Sequence, residues 1–238
     1  MKNIEVIARK ELSSYLSSPM AYIVAAIFLA LSGTFFATYL AGTNYTDTSI
    51  RGFLDASQIL ILLFAAVLTM RLVAEERKLG TWEFLLTSPV RESEIILGKF
   101  LAGLAVLSGM LALTLYYPLL LMVFGDPDLG PIATSYLGLF LLGSACLAVG
   151  IFASSLTSNQ IVSAVVAGGL LFVLWFLGAL ANILPDAFGK IMVYLSLAHH
   201  FPGFTKGIVD TRAVVYYLSL SVLFNYLAIG LIETDRLR

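Results

Sequence analysis

The sequence is poor in charge. Asp, Glu, Lys and Arg make up 12% of its 238 residues, against about 25% in an average soluble domain. None of them occurs between Gly130 and Pro185. With 59% of the residues hydrophobic, there is too little polar surface to cover a soluble globule. The formal net charge of −1 excludes the basic footprint of a nucleic-acid binder. The single cysteine, Cys146, excludes an intramolecular disulfide and a multi-cysteine metal centre. Its apolar surroundings read as a small buried side chain. The only histidines, His199 and His200, are adjacent, point to different helix faces and have no Cys or nearby carboxylate to complete a metal set. A phosphate-binding G-x-x-x-x-G-K-[ST] loop is missing as well. Gly98-Lys99 is followed by Phe100, and Ser93 stands where the first glycine belongs. No Ser/His/Asp or Cys/His arrangement and no acid pair lies inside the apolar runs, which counts against an intramembrane enzyme or a proton path. The opening residues mix charges and offer no small-residue cleavage site, so the N-terminus reads as retained rather than as a secretory signal.

What is present is length without charge. A bilayer core needs roughly 20 apolar residues in a helix. Six segments qualify, at residues 20–40, 53–72, 100–124, 132–153, 161–184 and 213–232. The fold class is all-α, a polytopic membrane protein of one domain over residues 1–238. An even number of spans puts both termini on one side. That side, with the link between the second and third spans, holds Lys2, Arg9, Lys10, Arg71, Arg77, Lys78, Arg91, Lys99, Arg236 and Arg238, ten of the Lys and Arg residues. The other side holds four: Arg51, Lys190, Lys206 and Arg212. Basic residues mark the cytoplasmic face. Both termini and Lys78 are therefore expected in the cytoplasm, and Asn44, Asp128 and His200 outside. Residues 1–18 place Ile4, Ile7, Ala8, Leu12, Tyr15 and Leu16 on one helical face, the pattern of an interfacial helix, and Ser18-Pro19 marks a fresh helix start. Gly138, Gly143, Gly150, and Ala164 with Gly168, offer close helix packing or are ordinary membrane composition.

One segment breaks the pattern. "EERKLGTWEFLLTSP", residues 75–89, gathers Glu75, Glu76, Arg77, Lys78 and Glu83 between two apolar spans. Gly80 interrupts the helix leaving the second span, Thr81 can cap a new short one, and Glu83 suits its positive end. Ser88-Pro89 then starts the helix that runs into the third span. Leu79, Trp82, Leu85 and Leu86 fall on one face. This is a short amphipathic helix parallel to the membrane, either an interfacial anchor or a docking surface for a cytoplasmic partner.

Residues 70–104, "MRLVAEERKLGTWEFLLTSPVRESEIILGKFLAGL", resemble the signature region of ABC-2 type transporter permeases, in the branch of the gliding-motility and copper-enzyme-maturation permeases. The matching positions are Glu75, Glu76, Arg77, Gly80, Thr81, Glu83, Thr87, Ser88, Pro89, Gly98 and Lys99. The opening and closing segments look similar too, so the resemblance covers nearly the whole chain. It implies a non-catalytic permease subunit in a bacterial or archaeal cytoplasmic membrane. The short helix then becomes a coupling helix seated in an ATP-binding subunit, with Glu75, Glu76, Arg77, Gly80, Thr81, Trp82, Glu83 and Leu85 as docking residues. ATP and Mg would sit on that subunit, two copies of it, and no cofactor on this chain. The other implied partners are a second permease copy or paralogue, membrane lipid and an extracytoplasmic accessory protein. The gliding-motility likeness keeps a second reading open, in which ATP-driven force reaches an extracytoplasmic partner without solute transport.

The outward loop, residues 185–212, is long for a membrane connection. Pro185 and Pro202-Gly203 bracket the apolar core 191–197, and the charges sit toward its ends, which fits a shallow hairpin. In related permeases this segment forms re-entrant helices over the outer end of the pathway. Ile191, Leu195, His199 and His200 are thus candidate outer-gate residues. Asn44-Tyr45-Thr46 matches a glycosylation sequon by chance in a bacterial-looking chain. Tyr116 and Tyr117, before Pro118, are packing aromatics or substrate contacts.

Overall fold

The computed structural model describes residues 2–42, 50–87, 90–125, 127–181 and 185–236. All regular elements among them are helical. In chain order they are α1 (Lys2–Ser17), α2 (Pro19–Gly42), α3 (Arg51–Thr69), α4 (Ala74–Lys78), α5 (Trp82–Thr87), α6 (Glu92–Thr114), α7 (Tyr116–Phe124), α8 (Leu129–Ser155), α9 (Gln160–Leu180), α10 (Asp186–Leu195), α11 (Pro202–Thr205) and α12 (Thr211–Arg236), with one 3₁₀ turn at Leu197–His200. Six stretches are long and apolar enough to cross a membrane: α2, α3 with α4, α6 with α7, α8, α9 and α12. The sequon at Asn44 and the Ser88-Pro89 step lie outside the described residues.

Local chemistry explains the boundaries. Pro19 opens α2, where its missing N–H costs nothing. Asn159 caps α9, its Oδ1 accepting from the amides of Ile161 and Val162 at 2.9 and 3.5 Å. The third span was expected to be continuous, but it breaks at Leu115 into α6 and α7. The cause is Pro118, which has no N–H for the carbonyl of Thr114 four residues back. The Tyr136 hydroxyl donates to that carbonyl instead, at 2.9 Å. Tyr117 is a packing residue. Its ring lies 4.9 Å from Phe36 and 5.2 Å from Phe53, and its hydroxyl donates to the Leu29 carbonyl.

Helix α8 is the hub, with every residue from Leu141 to Ile151 buried. Helices α3, α6, α9 and α12 pack around it. Helices α2 and α9 stay largely uncovered within the chain. Helix α1 buries Ile4, Ile7, Ala8, Glu11, Leu12 and Tyr15 at least partly, while Leu16 is 57% exposed. The buried face lies along the start of α6: a Cβ on Gly98 would come within 2.8 Å of Ile7. The expected interfacial helix is thus also a brace against the third span.

Candidate functional site

The link between α3 and α6 is fastened from below by the hub. Helix α3 stops at Thr69, and the chain turns before α4 begins. A helix start leaves N–H groups without partners. Here Val73 and Ala74 donate theirs to Ser154 Oγ on α8, at 3.2 and 3.1 Å, and that hydroxyl donates to the Met70 carbonyl. Gly80 ends the α4 turn with φ +71°, a conformation that side-chain-bearing residues rarely take. The Thr81 amide and hydroxyl both donate back to the Glu76 carbonyl, so Thr81 closes α4.

The charges of the link sort into two groups. Glu76 turns inward to Lys99 Nζ at 2.8 Å. Lys99 also reaches Glu11 at 2.9 Å and is fully buried. Lys10 adds a second cation to Glu76 at 3.3 Å. Helices α1, α4 and α6 therefore meet at one ammonium. Burial of that charge is tolerable because two carboxylates pair with it. Glu75 pairs with Arg71 at 2.9 Å. Arg71 in turn donates to Ser18 Oγ and stands 5.2 Å from the Tyr15 ring centre, while the Tyr15 hydroxyl donates to the Leu68 carbonyl. The Arg77 guanidinium lies 5.4 Å from the centre of the Trp82 ring, which is buried.

Of the eight expected docking residues, Glu76 and Trp82 thus face the protein, and Glu75 and Arg77 are half-buried. Gly80, Thr81 and Glu83 are exposed, and the Leu85 side chain lies outside the described residues. The large apolar groups presented outward are Leu79, at 67% exposure, and Phe84, at 77%. Phe84 escaped the sequence reading. A helical wheel drawn through residues 79–86 assumes one continuous helix. Gly80 breaks it between Leu79 and Trp82, so Leu79 stays outside while Trp82 goes inside, and Phe84, two residues further along α5, faces outward.

Residues 5–235 match the model of a family described as ABC-2 family transporter protein. The chain belongs to that family. No curated protein matches it. Membership makes it a multi-pass membrane component of an ABC transporter, in a family that is generally non-catalytic and works beside an ATP-binding subunit.

At the other end of this ABC-2 protein, α10, the 3₁₀ turn and α11 fold back onto α9, α8 and α12. Irregular backbone that packs away from water needs partners for its polar groups. Hydroxyls supply them. Tyr216 and Tyr217 donate to the carbonyls of Leu195 and Leu197 at 2.6 and 2.9 Å. Thr134 and Ser135 of α8 both donate to the Phe204 carbonyl, and Ser196 to that of Trp175. The Phe204 ring rests on Gly138, where a Cβ would come within 2.7 Å of it. Gly138 lies nine residues into α8, roughly 13 Å from its start. Leu197, Phe201 and Phe204 are fully buried. Among the expected gate residues, Ile191 and Leu195 are 53% and 40% exposed. His199 is exposed too, while half-buried His200 stacks on Tyr216 at 4.0 Å. Burial, then His199, holds the His200 imidazole below its ordinary range. The segment's buried apolar side chains are therefore Leu197, Phe201 and Phe204, while Ile191, Leu195 and His199 lie on its exposed side.

Amides 195–201 are expected to exchange slowly with deuterated solvent in a lipid nanodisc. Tyr217→Phe, which strips the Leu197 carbonyl of its donor, should speed them. Rapid exchange in the unaltered protein would show an open, solvated loop.

Proposed function

We propose that this chain is the permease subunit of an ABC transporter in a bacterial or archaeal cytoplasmic membrane, with both termini in the cytoplasm. It pairs with a second copy or a paralogue and with two ATP-binding subunits that hold ATP and Mg. The α4–α5 link receives their motion, and the α10–α11 hairpin closes the outer end of the path. The observation that carries this reading is the anchoring of the link: Lys99 ties it to α1 and α6, and Ser154 ties it to α8. A push on the exposed face with Leu79, Glu83 and Phe84 reaches three helices at once. The uncovered side of α9, where Gly168 has no neighbour within 4 Å, suits close packing against another permease.

Glu83→Lys and Phe84→Ser should each weaken co-purification of the ATP-binding subunit roughly 30-fold, the scale of losing one interface anchor of about 2 kcal/mol. Glu233→Lys, exposed at the end of α12, is the control. No loss at positions 83 and 84, or an equal loss at 233, would make the link a mere anchor. Glu94→Lys is a poorer control, because Glu94 accepts from Asn3 and from the Arg91 amide at the start of α6.

Topology is checked separately. In a Cys146→Ser background, Asp128→Cys should react with an impermeant thiol reagent in intact cells and Lys78→Cys should not. The reverse pattern would overturn the orientation. Nucleotide-driven solute movement in vesicles is the expected activity. ATP hydrolysis that moves no solute but remodels an extracytoplasmic partner would favour force transmission.

A further inference from the structure

A groove between α6, α8 and α12 takes no part in the link or the hairpin. Its volume is about 370 Å³, within the range of small-molecule sites. Apolar side chains dominate its walls, among them Leu97, Phe140 and Leu218, and three polar residues interrupt them: Ser144, Ser221 and Asn225. Asn225 is 5% exposed. Its amide nitrogen donates to the Ser221 carbonyl at 2.8 Å, and its Oδ1 is buried with no hydrogen-bond partner. The two hydroxyls lie 3.2 Å apart, within hydrogen-bond reach of one another, and each also has a carbonyl of its own helix to donate to. Ser144 donates to the Leu141 carbonyl at 2.7 Å and Ser221 to the Tyr217 carbonyl at 2.8 Å. The polar floor of the groove is therefore rich in acceptors.

An unpaired amide oxygen in hydrocarbon is costly, and bulk water is absent at that depth. Asn225 precedes Glu233 by eight residues, roughly 12 Å along α12. Its missing donor must come from a group that enters the apolar layer. The groove follows α12 from Leu218 to Ile229, roughly 16 Å. Spread over that length, its volume suits an extended chain better than a compact ligand. Val222 and Tyr226, 70% and 72% exposed, flank the open mouth.

We infer that this groove binds an elongated, uncharged apolar molecule with one hydrogen-bond donor, such as a hydroxylated acyl chain, seated with that donor on Asn225 Oδ1. An ordinary acyl chain fills the same space and leaves Asn225 unpaired. Selectivity thus rests on one buried bond and should be about tenfold. The site requires no ATP-binding subunit, so it stands or falls apart from the permease role.

The test uses the full chain in native membranes and two photoreactive probes, a diazirine-bearing long-chain alcohol and its methyl ether, with cross-links located by peptide mass spectrometry. The alcohol should label the α12 peptide around Val222 about tenfold more than the ether does. Asn225→Leu should equalise the two probes. Val222→Trp, at the exposed mouth, should block both and keeps the test decisive if Asn225→Leu fails to fold. Equal labelling of the unaltered protein by both probes would reduce the groove to an ordinary lipid contact and overturn the inference. Labelling that survives Val222→Trp would place the probe elsewhere. Efficient Val222→Cys cross-linking to another chain, with no probe labelling, would show that protein covers the groove, and the inference would fail.

Discussion

Lys99→Met is expected to destabilise the protein by about 3 kcal/mol, the lower end of what removing one partner of a buried ion pair costs. The lysine is fully buried, and its loss leaves Glu11 and Glu76 facing one another. Those carboxylate side chains are only 12% and 14% exposed, so water relieves little of the repulsion. Lys10 reaches both acids, at 3.8 and 3.3 Å, but at 62% exposure it offsets only part of the loss. The measurement is the thermal midpoint of the detergent-solubilised chain, with the yield of monodisperse protein as a second readout. The triple variant Glu11→Gln, Glu76→Gln, Lys99→Met should recover part of the loss, because it removes both buried anions together with their partner. Wild-type stability of Lys99→Met would show that α1 and α4 are held by packing alone. ATPase coupling should fall in both variants, since the lysine joins the link to the third span.

Gly150→Val should be about as damaging. A Cβ at this position would collide with the Thr69 hydroxyl and come within 2.7 Å of Thr69 Cβ. Thr69 cannot turn away freely: it is fully buried, and its hydroxyl donates to the Ala65 carbonyl at 2.7 Å. Nor can α3 back off, because Ser154, one turn further along α8, holds the amides that follow it. Ordinary overpacking costs about 1–3 kcal/mol, and a branched side chain pressed against the root of a buried, hydrogen-bonded threonine belongs at the upper end. Gly168→Val is the matched control. Nothing lies within 4 Å of that position, and the expected change in chain stability is within about 0.5 kcal/mol. Similar losses at positions 150 and 168 would mean that glycine is needed for helix flexibility and not for close approach.

The contrast between these two glycines shows how far a sequence reading reaches. Both sit in apolar helices with small residues around them, and nothing local tells them apart. Only the side chain arriving from another helix makes Gly150 indispensable. Lys99 is a similar case. At a predicted membrane boundary it reads as a lysine reaching for water. Its burial depends on two acids, one 88 residues away and one 23, that converge only when α1 lies across α6. Trp82 and Phe84 were legible as residue types but not as faces, because left-handed Gly80, just before their helix, breaks its phase with the helix that ends at Lys78. That residues 185–212 form short packed helices could be anticipated from their apolar core and flanking prolines. Which of them are buried, Leu197, Phe201 and Phe204, could not, since their placement depends on hydroxyls of α8 and α12.

The sequence by itself determined the solvent, the helical class and the number of crossings. These depend on composition and run length, which a bilayer judges segment by segment. The family was also legible in it, through the charged link and its spacing. Which charges of that link face a partner and which are internal braces was decided by tertiary structure alone. Pairing energies fall off within a few ångströms, and the distances between α1, α4, α6 and α8 exist only once the helices have packed.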